Sequence, residues 1–130
     1  MKIAPVEFAH LCDYASVSMD GKLSLAGIFD RFMVKDAPTV HPMLFIVTKL
    51  ILPEGEHNIT FTLMQEDQVL AKSNADKKIE GKLGAHVHFW NIRNLKIEKL
   101  DEPVELQILI DGKQVYVKRI PVIQVKPKDE

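Results

Sequence analysis

The sequence predicts an all-β protein, a two-layer antiparallel β-sandwich of about eight short strands. Three observations carry this. Apolar and polar residues alternate with period two over several stretches, as in a strand with one face on a core. Two alternating pairs are separated at Asp20-Gly21 and Asp111-Gly112, a dipeptide that readily takes the positive φ angles of a tight hairpin. No stretch sustains a helical period, and adjacent hairpins favour a sandwich over a barrel.

The first expected strand runs from about Glu7 to Ser18, with Phe8, His10, Cys12, Tyr14 and Ser16 on one face and Ala9, Leu11, Asp13, Ala15 and Val17 on the other. Neither face is purely polar, so both are expected to meet protein along part of their length. After the Asp20-Gly21 turn, Leu23, Leu25, Gly27 and Phe29 share a face; Gly27 marks a bulge or a close backbone approach. Lys35 to Pro42 reads as a connection. Met43 to Leu52 is apolar on both faces and reads as a central strand. Pro53-Glu54-Gly55-Glu56 reads as a turn, and Ile59, Phe61 and Leu63 point inward from the strand that follows.

Glu66-Asp67-Gln68 turns into a short strand, Val69 to Lys72. Ser73 to Lys78 is polar and reads as a mobile loop. Ala85 to Ile92 alternates, with Val87 and Phe89 opposing His86, His88 and Trp90. Asn94 to Glu102 is compatible with a strand or a long loop. Val104, Leu106, Ile108 and Ile110 form an apolar face ending at Asp111-Gly112. The return strand contains Pro121, which removes a ladder donor and places that strand at an edge or a bend. The tail from about residue 126 reads as frayed.

At 130 residues, with 46% apolar and 27% charged residues, the chain is expected to be a single domain over 1–130. The net charge of −1 offers no field to steer nucleic acid or an acidic membrane. It leaves self-association open, because colloidal repulsion is small. No apolar run reaches membrane-helix length. One cysteine and no signal-like N-terminus point to a cytoplasmic protein.

His86 and His88 are the candidate metal ligands. Residues two apart on a strand share a face, so two imidazoles lie side by side and a third ligand must come from elsewhere. The competing reading is a half-exposed face bearing two histidines beside Trp90. The His-x-His, with Gly81 five residues upstream, is similar in that one respect to a cupin metal strand. No glutamate follows, and no second cupin motif is present. Cys12 and His10 share a face, but nothing supplies an oxyanion site, so a packed thiol is expected. Asp13 and Asp30 sit within apolar runs and need donors or cations if buried, with Arg31 and Lys49 as possible partners. No glycine-rich phosphate loop, Gly-x-Ser-x-Gly or His-Glu-x-x-His occurs.

Leu11-Cys12-Asp13-Tyr14-Ala15, Gly21-Lys22-Leu23-Ser24-Leu25 and Gly27-Ile28-Phe29-Asp30 resemble the opening of a family of small bacterial proteins of unknown function. His41-Pro42, Gly55-Glu56-His57 and Gly112 also fall where that pattern places them. The resemblance implies a compact bacterial β-sandwich and brings no catalytic residues. The functional expectation is a non-catalytic interaction or scaffolding module, with a protein partner or a homo-oligomer and no cofactor, nucleic acid or membrane. The alternative is a small-molecule or metal-binding protein using His86 and His88. An enzyme is the third reading.

Overall fold

The computed structural model describes residues 5–125, excepting the side chains of residues 82 and 83, and it is all-β. Eight strands follow in order: β1 (Val6–Val17), β2 (Leu23–Phe29), β3 (Phe32–Val34), β4 (Thr39–Gln65), β5 (Gln68–Ile97), β6 (Val104–Ile110), β7 (Lys113–Ile120) and β8 (Val122–Gln124). The expected frayed tail lies outside the described residues.

Two strands are far longer than the sequence suggests, β4 with 27 residues and β5 with 30. They form one hairpin that runs through both layers. In the first layer β2 pairs with β1, β1 with the first half of β4, and that half with the second half of β5. In the second layer the first half of β5 pairs with the second half of β4, followed by β6 and β7. Met43 to Leu52 is thus the central strand expected.

The long hairpin corrects two expectations. Pro53-Glu54-Gly55-Glu56 does not reverse the chain but bends it, with a register shift between Pro53 and Gly55. Proline gives up a ladder donor there, and Gly55 adopts φ 129°, which only glycine takes without strain. Ser73 to Lys78 is not a loop: Ser73 pairs with Phe61 and Lys78 with Glu56. Asn94 to Glu102 divides, with the strand continuing to Ile97.

Only one Asp-Gly makes a two-residue hairpin. Asp111 and Gly112 take φ 53° and 81° between the paired Ile110 and Lys113, both positive as a primed turn demands. Asp20-Gly21 sits instead in a longer loop, 18–22, because the last β1–β2 pair is Val17 with Leu23. The Ser18 hydroxyl oxygen accepts from the Lys22 amide at 3.0 Å, and the Gly21 amide donates to the Ser18 carbonyl. This side-chain-built turn replaces the tight one.

The core lies between the layers. Leu11, Leu44, Ile46 and Leu50 from the first meet Phe61, Leu63, Leu106 and Ile108 from the second, all fully buried. Burying such side chains contributes about 1.5–3 kcal/mol each. On the side away from the long hairpin, β3 and β8 pair in parallel, Phe32 with Val122 and Val34 with Gln124. The Phe32 amide donates to the Pro121 carbonyl at 2.8 Å. Since β3 follows β2 and β8 follows β7, this pair clasps the two layers. Lys118 of β7 adds to it, donating to the Ala9 carbonyl of β1 at 2.9 Å. Pro121 falls between β7 and β8, at the edge and bend expected.

Candidate functional site

His86 and His88 project from the inner face of the first layer, opposite Leu50 and Thr48 of β4. Their ring centroids lie 6.1 Å apart. His88 stacks on Phe61 at 4.5 Å with the planes 11° apart, and Trp90 leans on the same ring. Burial is the main cause that pulls both imidazoles below the ordinary histidine value; Lys77 adds to it for His86, and His86 for His88. Charging either ring would place a cation in a poorly solvated environment. Thr48, on the same face, is fully buried and its Oγ1 has no hydrogen-bond partner among the described residues. Among the described residues no three His, Cys, Asp or Glu side chains converge on a metal-sized site.

A cleft lies at the end of the second layer, beside the bend. It is an open space of about 570 Å³ lined by Glu56, Asn58, Asp76, Lys77 and Lys78, with His57 and Asp111 at its base. His57 Nδ1 lies 2.7 Å from Asp111 Oδ2, and Nε2 lies 2.9 Å from the Pro53 carbonyl oxygen. Both partners are acceptors, so the imidazolium, which donates from both nitrogens, is the form this geometry favours. Its pKa is raised, first by the Asp111 hydrogen bond and then by the Pro53 carbonyl. Asp111 also accepts from the Asn58 amide at 2.9 Å. That bond and His57 lower the Asp111 pKa. With both ring nitrogens occupied, His57 has no free position to act as a general base or ligand; it ties the β6–β7 turn to the bend in β4. Sequence reasoning missed this pair, which lies 54 residues apart in the chain.

The outer faces of the two layers differ. The second carries a polar mesh: Asn58 donates to Asn74 and Asp76, both at 2.9 Å, and Asn74 donates to the Thr60 hydroxyl oxygen at 2.7 Å. The first carries large apolar side chains on all four of its strands, with His10, Lys49, Asn91 and Arg93 among them. Ile28 of β2 and Tyr14 of β1 are 58% and 57% exposed. Phe8, Phe45, Val87 and Phe89 lie half-buried around Cys12 and Val47. Tyr14 meets Phe45 edge-on at 5.9 Å. Among the described residues no other element lies over this face.

Cys12 is the packed thiol expected. It is fully buried, its Sγ faces the Phe45 carbonyl oxygen at 3.8 Å, and its pKa is raised, first by burial and then by Asp13. A protonated, covered thiol is a poor nucleophile. His10 stacks on Phe8 rather than serving Cys12. Asp13 and Asp30 are both exposed. Asp30 pairs with Arg31 at 2.9 Å, whereas Lys49 pairs with Glu7.

The chain matches the sequence profile of the family of unknown function DUF6941 over residues 7–123. A comparison with curated proteins finds no match. The match takes in both layers and the clasp, and the chain belongs to this family of unknown function.

Proposed function

We propose that this protein is a non-catalytic protein-interaction module whose working surface is the outer face of the first layer. One observation supports this above the others. An antiparallel sheet with one face on a core normally turns polar side chains to water. The second layer does so with Asn58, Thr60, Asn74 and Asp76, while the first turns out Tyr14, Ile28, Phe45 and Phe89. Large apolar side chains turned outward on every strand of a layer mark contact with another protein. A bacterial, cytoplasmic setting goes with the reading, supported by the family resemblance and the single cysteine.

Native mass spectrometry of untagged protein tests it. The expected result is a stoichiometric complex, lost in the Tyr14→Ser, Ile28→Ser double variant while the far-ultraviolet spectrum is unchanged. A strict monomer with no stoichiometric partner overturns the reading.

A second reading is supported by the shared face of His86 and His88. Burial favours the neutral form of these two neighbouring imidazoles, the form that binds zinc or a similar transition metal. Elemental analysis of protein purified without a histidine tag decides it, and metal far below one equivalent removes it.

A further inference from the structure

We propose that Gly84–Ile92 of β5 pairs antiparallel with the same segment of a second copy of this chain. Two four-stranded first layers then join into one continuous sheet across a two-fold axis. The inference rests on the interaction reading and names its partner.

The four sheet edges are not equally protected. An open edge is a row of unpaired amides and carbonyls, and proteins guard it with charges, proline, bulges or short length. The edge strand β2 has seven residues and is distorted by Gly27 at φ 68°, with the Asp13 carboxylate pressed against it. β7 carries Lys113, Lys118 and Arg119 and stops at Pro121. The first half of β5 carries Lys72, Asp76, Lys77 and Lys78. Each of these three has a device against pairing.

Gly84–Ile92 has none. It contains no Lys, Arg, Asp, Glu or Pro. Its register with β4 is unbroken from Leu52 opposite Gly84 to Leu44 opposite Ile92. Among the described residues only β4 runs beside it. An edge this regular and this free of charge is what a strand-pairing interface needs and what an isolated monomer avoids.

The occupant follows from symmetry and charge. An antiparallel strand set beside its own copy is related to it by a two-fold axis, so one surface serves both partners. Without charged side chains in the segment, no register sets like charges opposite one another. The net charge of −1 leaves no long-range repulsion between copies. Nine residues on each side form roughly nine hydrogen bonds, close to the roughly ten of an ordinary protein interface. Val87 and Phe89 stand on the outer face of this edge strand, so pairing also merges the two apolar outer faces into one.

Sedimentation of the full, untagged chain over micromolar to submillimolar concentrations tests the proposal. Ala85 and Asn91 are exposed on this strand, so the Ala85→Lys, Asn91→Lys double variant adds edge charges without touching the core. Gln114→Lys on β7 is the control. The wild type and the control are expected to sediment as two chains. The double variant is expected to associate about tenfold more weakly or worse, with unchanged circular dichroism. Amides of residues 84–92 should exchange more slowly as wild-type concentration rises. A single-chain wild type at every concentration overturns the proposal, as does a double variant that still dimerises. If that single chain binds a different protein through Tyr14 and Ile28, only the edge pairing falls. If it binds nothing, the interaction reading falls with it.

Discussion

Gln65 shows how much one side chain can organise. It is 1% exposed, and its amide donates to the Lys99 and Glu102 carbonyls at 2.8 and 2.9 Å. Its oxygen accepts from the Glu98 and Lys99 amides at 2.8 and 3.1 Å. One glutamine thereby satisfies four backbone groups of the segment that leads to β6. Gln65→Met keeps the volume and strands all four, so stability should fall by about 3 kcal/mol or more. Urea denaturation measures the loss, and amide exchange should quicken at Glu98 and Lys99. The His57–Asp111 pair gives a signed pH effect. The His57 pKa is raised in the fold, so its stabilisation is complete below the unfolded value near ~6.5 and is lost as pH rises through the folded value. The Asp111 pKa is lowered, so its share is present above the unfolded carboxylate value and lost as pH falls through the folded one. Asp111→Asn preserves the turn, since Asn-Gly suits the same geometry. It should bring the His57 titration back toward its ordinary range and flatten the dependence of melting temperature on pH above the ordinary histidine value. Nuclear magnetic resonance titration of the imidazole and thermal melts check both.

At the level of elements, the bend in β4 is where local sequence misleads. Pro-Glu-Gly-Glu has the chemistry of a turn, and a bend uses the same chemistry. Which of the two forms depends on whether the strands beyond it find partners, here residues 68–79 of β5 and residues 105–110 of β6. Ser73 to Lys78 hides for a related reason. Its half-buried positions are Ser73 and Ala75, small residues that give little apolar contrast with Asn74 and Asp76. By comparison, Val104, Leu106, Ile108 and Ile110 were legible because large apolar residues alternate against Glu and Gln. Asp111-Gly112 was legible because both residues favour the angles the turn requires. His86 and His88 could be placed on one strand face, but the sequence did not say that the face is the inner one. Gly55→Ala should test the bend directly. At φ 129° a Cβ is strained, and a loss of about 1–3 kcal/mol is expected by chemical denaturation. Nothing lies within 4 Å of the added methyl, so crowding makes no contribution.

For the whole molecule, almost every pairing except the hairpins joins distant parts of the chain. Leu11 meets Ile46, Phe32 meets Val122, and Lys118 reaches Ala9 across 109 residues. Such a topology closes long loops before it gains contacts, so folding in milliseconds to seconds is expected. Stopped-flow refolding should show it, and a microsecond phase carrying the full amplitude would contradict it. The long hairpin has another consequence. Because the same two strands thread both layers, neither layer is a separable piece of polypeptide. Cutting the gene between codons 56 and 97 divides both layers at once. Fragments made this way have no self-standing half to fold first. A two-piece reconstitution has its best chance with the break in the segment after Ile97, which leaves the entire hairpin on one fragment.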